Sequence, residues 1–468
     1  MKEKENNQIG YSNKKAVSYS FGQIADIVSY QTFTFLIFTF YYTIVGLNVI
    51  FISIGFIIWS VWNSLNDPLI GFLSDRTHTR WGRRLPYMMV ALIPLGFIMF
   101  LLFSPPMTLF GITDSTTNLI YFLVIIIIFD LVYTMFSLNL TSLFPESFIT
   151  ADERTKANNI RQLFGLIGLI MVFVLPGFII PDITDPKYYR EYSIFGAIIM
   201  IIVIVCGLIF LKFGPKEKPE FQQDYKNCPG FFGSIKMCAQ SKSFRWYIPC
   251  EVATWFIFGM VPTIIPLYAK FVLNVENTLM ISLLMGIVFI SAAIFMTLLW
   301  RPIVRKIGVR KTWIISMIVL IISMAPLMFI TDFISGIIVF FFIGVGFAGS
   351  LYIIDLVVSD IIDEDEVKTG MRRDAGFYGV NALFLRLSTI FVFLCIGLVF
   401  TNVGWAVYEP ENVTPAVIFG LRVLIFIFPA IALIIGIIVM YKYPLDGERL
   451  RKVKEDLQKV HSEKKSKI

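Results

Sequence analysis

Histidine is almost missing from this chain: His78 and His461 are the two among 468 residues. Cysteine is scarce as well. Cys206, Cys228, Cys238, Cys250 and Cys395 show neither the spacing of a disulfide framework nor that of a metal site. Without clustered imidazoles or thiolates a resident transition metal is not expected. No GxSxG elbow, phosphate-binding GK[ST] loop or metal triad occurs, so the chain is not expected to be an enzyme or to carry a cofactor. Charge is thin too, 16% of residues against about 25% in an ordinary soluble domain. The net charge of +7 is gathered in short loops and the C-terminal tail, a pattern of membrane topology rather than of nucleic-acid binding.

Apolar residues fill the space left by charge, at 57% of the chain. Runs long enough to span a bilayer fall at about 17–45, 49–74, 86–104, 118–143, 160–181 and 193–212. They resume at about 246–272, 279–300, 312–331, 335–358, 376–401 and 415–441. The reading is an all-α polytopic membrane protein of twelve transmembrane helices in two six-helix bundles, 17–212 and 246–441. Residues 213–245 are the linker, 1–16 a polar N-terminal tail without a cleavable leader, and 442–468 a C-terminal tail. Loops after the even-numbered helices hold most Lys and Arg, which puts both termini in the cytoplasm and the chain in the plasma membrane, with lipid as its surroundings. A monomer is expected.

Two basic turns repeat at matching places. GFLSDRTHTRWGRRLPY follows the second helix and WRPIVRKIGVRKTW the eighth, with Gly82 before Arg83 and Arg84 and Gly308 before Arg310 and Lys311. The duplicate resembles the signature of the major facilitator fold, which implies two bundles rocking about a central site.

The most informative stretch is Asn63 to Tyr87. Asp67 is embedded in an apolar run, about 12 Å of helix from its end at Asp75. An ionised group there costs roughly 2.5–3.5 kcal/mol, so it faces a wet cavity or a partner. Asn63 and Asn66 share its helix face, and Pro68 is expected to free the Ser64 carbonyl. These are hard oxygen ligands suited to a small cation. Other polar groups interrupt the spans: Gln23, Asp26, Tyr30 and Thr34 on the first helix, and Asp130, Thr134, Ser137 and Thr141 on the fourth. Arg161 is on the fifth, and Tyr247, Glu251 and Trp255 are at i, i+4, i+8 on the seventh. Asp355, Asn381, Arg386 and Arg422 follow on the last three. Arginines near helix ends can equally snorkel to the interface, and Glu251 can equally face water. After the tenth helix, 359–379 reads as a charged loop. Asp360, Asp363, Asp365 and Glu366 precede Lys368, Arg372 and Arg373, and are expected to latch against Asp75, Arg76, Arg83 and Arg84, with Arg310 on their own side.

Three segments resemble the glycoside–pentoside–hexuronide:cation symporters of the major facilitator superfamily: FYYTIVGLN with WNSLNDPLIGFLSDRTHTRWGRRLPY, YTMFSLNLTSLFPE, and SDIIDEDEVKTGMRRDAGFYG. The resemblance implies symport of a sugar or sugar acid with H⁺ or Na⁺. It places the cation at Asn63, Asn66, Asp67 and Thr134, with Asp130 able to supply a charge, since the family has a second aspartate where Asn63 stands. It places the solute near Asp26, Arg161, Ser137, Thr141 and Arg386, to which the polar stripes add Tyr30, Glu251 and Trp255. Ser137 and Thr141 replace the family's second acid and its tryptophan. Readings that stay open are another amphiphile, such as a lysolipid, and a transport-inactive sensor on the same fold.

Overall fold

Lipid offers backbone amides no partners, so each apolar run must satisfy its own hydrogen bonds as a helix. The computed structural model describes residues 13–77, 79–148, 151–215, 231–370 and 374–466, and no strand occurs among them. Among the described residues, twelve helices are long and apolar enough to cross a membrane. They are α1 Asn13–Ile44, α2 Val49–Ser74, α3 Leu85–Leu102, α4 Ser115–Phe144, α5 Lys156–Ile179 and α6 Pro186–Phe213. Then come α7 Lys242–Phe271, α8 Thr278–Ile307, α9 Val309–Met328, α10 Phe333–Thr369, α11 Gly376–Asn402 and α12 Pro415–Tyr441. A polar helix, α13, covers Gly447–Ser466. The helix containing Pro68 runs unbroken from Val49 to Arg76.

The chain divides into two compact units, each with its own packing. The first holds the described residues to Phe40, Leu65–Ile180, and Asp185 to the end of α6. Within it α1 packs on α5 and α6, and α3 on α4 and α6. In the second unit α7 packs on α11 and α12, and α9 on α10 and α12. The pairings therefore recur six helices later, the packing counterpart of the repeated basic turn. Gly82 and Gly308 both have a left-handed backbone, φ +99° and +83°, which a side chain rarely adopts. Close helix contact uses small residues: a Cβ on Gly207 of α6 would meet Leu92 Cδ1 of α3 at 2.1 Å. The second unit also takes in Tyr41–Ser64 and Pro181–Thr184. These segments are tied down there by Lys270 Nζ to Asp182 Oδ2 at 2.8 Å and by Thr278 N to the Pro181 carbonyl at 3.0 Å. Stacking of Phe56 on Phe393, ring centroids 3.8 Å apart, adds to them.

One expectation changes here. Residues 359–369 are not loop but the last turns of a 37-residue helix, ended by Gly370 at φ +73°. The helix can leave the apolar layer because α13 lies along its acidic end and supplies the countercharge. Lys454 Nζ reaches Asp360 Oδ1 at 2.6 Å and Asp363 Oδ2 at 2.7 Å, and Arg449 Nη2 reaches Glu364 Oε1 at 2.7 Å.

Candidate functional site

In the first unit the polar residues of α1, α2 and α4 form two neighbouring groups. On α2, Asp67 is half-buried and its Oδ1 accepts the Thr134 hydroxyl of α4 at 3.0 Å. Beside it Asn66 is fully buried and donates through Nδ2 to Asp130 Oδ2 at 3.1 Å and to the Asp130 carbonyl at 3.2 Å. That leaves Asn66 Oδ1 buried without a partner among the described residues. An orphaned amide oxygen, two carboxylates and a hydroxyl are the donor set that a small hard cation takes. Asn63, buried one turn earlier, stands in the part of α2 that belongs to the second unit.

The other group surrounds Asp26 on α1, buried to 9% exposure. Gln23 Nε2 donates to its Oδ2 at 3.1 Å, while Oδ1 is left without a hydrogen bond. Ser137 and Tyr133 face the same carboxylate from α4. Tyr133 stacks on Tyr30, centroids 5.3 Å and planes 24° apart, and on Phe129, so a flat aromatic wall adjoins the Asp26 carboxylate. Such a wall takes the apolar face of a ring-shaped solute, while the carboxylate takes a hydroxyl. Tyr133 escapes a reading by polar stripes, because a step of four from Asp130 passes to Thr134. Its signal is the aromatic next to that threonine. Arg161 stacks over the Phe144 ring at 4.7 Å, close enough to attract Asp26. Thr141 is exposed.

The second unit holds the remaining candidates. Glu251 does not face water: it is 1% exposed, with Oε1 accepting Asn381 Nδ2 of α11 at 2.8 Å. Its helix turns it inward between Tyr247 and Trp255, against α11. Arg386 is half-buried, and its carbonyl accepts the Ser60 hydroxyl at 2.7 Å. Arg422 donates to the Ile330 carbonyl at 3.3 Å, where the chain enters α10. Of the expected latch, Asp360 and Asp363 pair with α13, and Arg310 pairs with Asp446 at 3.4 Å and bonds to the Met440 and Tyr441 carbonyls. Arg83 and Arg84 are buried in the basic turn, and Arg76 lies over the Phe72 ring at 3.9 Å. The side chains of Asp75, His78 and His461, and all of Arg372, Arg373 and Cys228, fall outside the described residues.

Residues 18–447 match the family described as MFS/sugar transport protein. The isoprimeverose transporter of Lactiplantibacillus pentosus is 23% identical over 76% of this chain and 73% of its own. The mouse sodium-dependent lysophosphatidylcholine symporter 1 is 22% identical over 88% of this chain and 82% of its own. Among solved structures, a D-xylose–proton symporter superposes with a TM-score of 0.63 at 16% identity, covering 93% of this chain and 98% of its own, a likeness of fold.

Proposed function

This chain belongs to the MFS/sugar transport protein family, and from that premise we propose that this multi-pass transporter is a symporter that moves a glycoside or pentoside together with H⁺ or Na⁺ by alternating access. The observation that carries the reading is Asp67, a carboxylate inside a membrane helix that accepts a hydroxyl at 3.0 Å beside an unsatisfied amide oxygen. A carboxylate inside a membrane helix faces a partner or a wet cavity, and a transported cation meets that requirement. Asp26 and the Tyr30–Tyr133 wall are the solute subsite in this reading. Two of the three candidate arginines argue for a neutral sugar over a uronide: Arg161 is stacked on Phe144, and Arg422 is tied to a loop carbonyl. A uronide would need a free guanidinium fork. The basic loops orient both termini to the cytoplasm.

The test is uptake into vesicles from a panel of labelled neutral and acidic sugars, with and without an imposed sodium or proton gradient. Concentrative uptake of a neutral glycoside, competed poorly by glucuronide, is expected. Gradient-independent equilibration of every sugar would refute symport. The lysophosphatidylcholine relative favours one second reading, an amphiphilic solute. Competition by a lysolipid, with none by sugars, would select it.

A further inference from the structure

Glu251 belongs to the second unit. It is buried to 1% exposure in the first half of α7, and no lysine, arginine or histidine pairs with it among the described residues. Its one hydrogen bond comes from Asn381 Nδ2, and Oε2 has none. Around it the Tyr247 hydroxyl, Trp255 Nε1 and Asn381 Oδ1 are also buried without partners. The titratable groups acting on it are Tyr247 on its own helix and Asp355 on α10, an acid whose charge repels it; α11 contributes the neutral Asn381. An ionised carboxylate here would be desolvated, half-satisfied and next to a like charge, three unfavourable conditions at once. A neutral carboxyl group removes all three. Its hydroxyl gains an acceptor if the Asn381 amide turns to present Oδ1, a rotation that the amide allows without moving the backbone. Two aromatic donors then remain for the carbonyl.

We propose that Glu251 is a proton-binding site in its own right, a neutral carboxyl group that binds and releases H⁺ with Asn381 as its hydrogen-bond partner, independent of Asp67 and of the solute. The site chooses a proton over a metal ion because its neighbours are donors: Tyr247, Trp255 and the Asn381 amide nitrogen offer N–H and O–H, whereas Na⁺ needs several oxygens.

The test needs no solute, so it stays separate from the symport reading above. Purified full-length protein is titrated with protons alone and followed by infrared difference spectroscopy in the carboxylic C=O region. Wild type is expected to show a protonated-carboxyl band that disappears in Glu251→Gln. In Asn381→Ala the band is expected to persist but move in frequency, because the carboxyl loses its partner. Exchanging sodium for choline is expected to leave it unchanged. A spectrum unaltered in folded Glu251→Gln, an unmoved band in Asn381→Ala, or a band that sodium abolishes would each overturn the proposal. Should Glu251→Gln fail to fold, the Asn381→Ala frequency decides alone.

Discussion

Asp67 and Tyr133 divide the proposed work between charge and shape, and the two can be tested one at a time. Asp67→Asn keeps the size of the side chain and its contact with Thr134 but removes the charge. Gradient-driven accumulation is expected to vanish, while exchange of solute across the membrane at equal concentrations continues. Accumulation to the wild-type ratio by this variant would show that the coupling carboxylate is elsewhere. Tyr133 acts differently. Tyr133→Phe keeps the stack on Tyr30 and loses one hydroxyl beside Asp26, worth about 0.5–1.5 kcal/mol, or about 2–10-fold in solute affinity. Tyr133→Leu also loses the stack, a further loss of about 0.5–1.5 kcal/mol. The affinities should therefore rank wild type, Phe, Leu for a sugar. A variant order in which Leu equals Phe would remove the aromatic wall from the site.

At the scale of elements, α10 and α13 show why a charged stretch can be misread as loop. Asp360 and Asp363 read as a charged loop latched to the basic turns when their partner, Lys454, lies some 90 residues away in the tail. Nothing local in SDIIDEDEVK announces it, so periodicity cannot extend the helix. Burial works against the charge on Lys454, but its hydrogen bonds to Asp360 and Asp363 outweigh this and hold it above its ordinary value. A raised lysine contributes stability that is complete below the unfolded value of about 10.4 and is lost only as pH rises through the folded one. Docking of α13 is therefore expected to be flat through neutral pH and to weaken under strong alkali. It is expected to weaken separately in acid, where Glu364 is protonated: burial opposes its charge, but its bonds to Ser243, Lys368 and Arg449 outweigh this and hold it below its ordinary value. Lys454 is 42% exposed, so solvent screening keeps the contribution near that of a surface network, about 1 kcal/mol. Lys454→Met should raise amide exchange in α13 about five-fold at neutral pH. Unchanged protection would mean that the apolar side of the helix holds it alone.

Across the whole molecule, the parts legible in the sequence are those that composition controls. The twelve spans, the repeat six helices apart and the glycine of each basic turn follow from lipid's demand on the backbone and from φ values that only glycine accepts comfortably. The Asp67–Thr134 pair is within reach because a carboxylate inside an apolar run has few uses. By contrast, the attachment of Tyr41–Ser64 to the second unit was hidden. Phe56 against Phe393 is one contact among 46 phenylalanines, and an apolar side chain facing protein looks the same as one facing lipid. The proposed alternating access has this attachment part in each cycle, which gives a direct test. A Cβ built on Gly397 of α11 lies 3.5 Å from Ser53 Cβ of α2, within the span of a disulfide, about 3.5–4.5 Å. The double variant Ser53→Cys/Gly397→Cys should therefore close under mild oxidation without moving the backbone. Closed, it is expected to stop net uptake while solute still protects the protein against heating. A reductant should restore transport, and either single cysteine should leave it intact. Wild-type uptake by the fully cross-linked protein would mean that α2 and α11 stay together throughout, and that access alternates by parting some other surface.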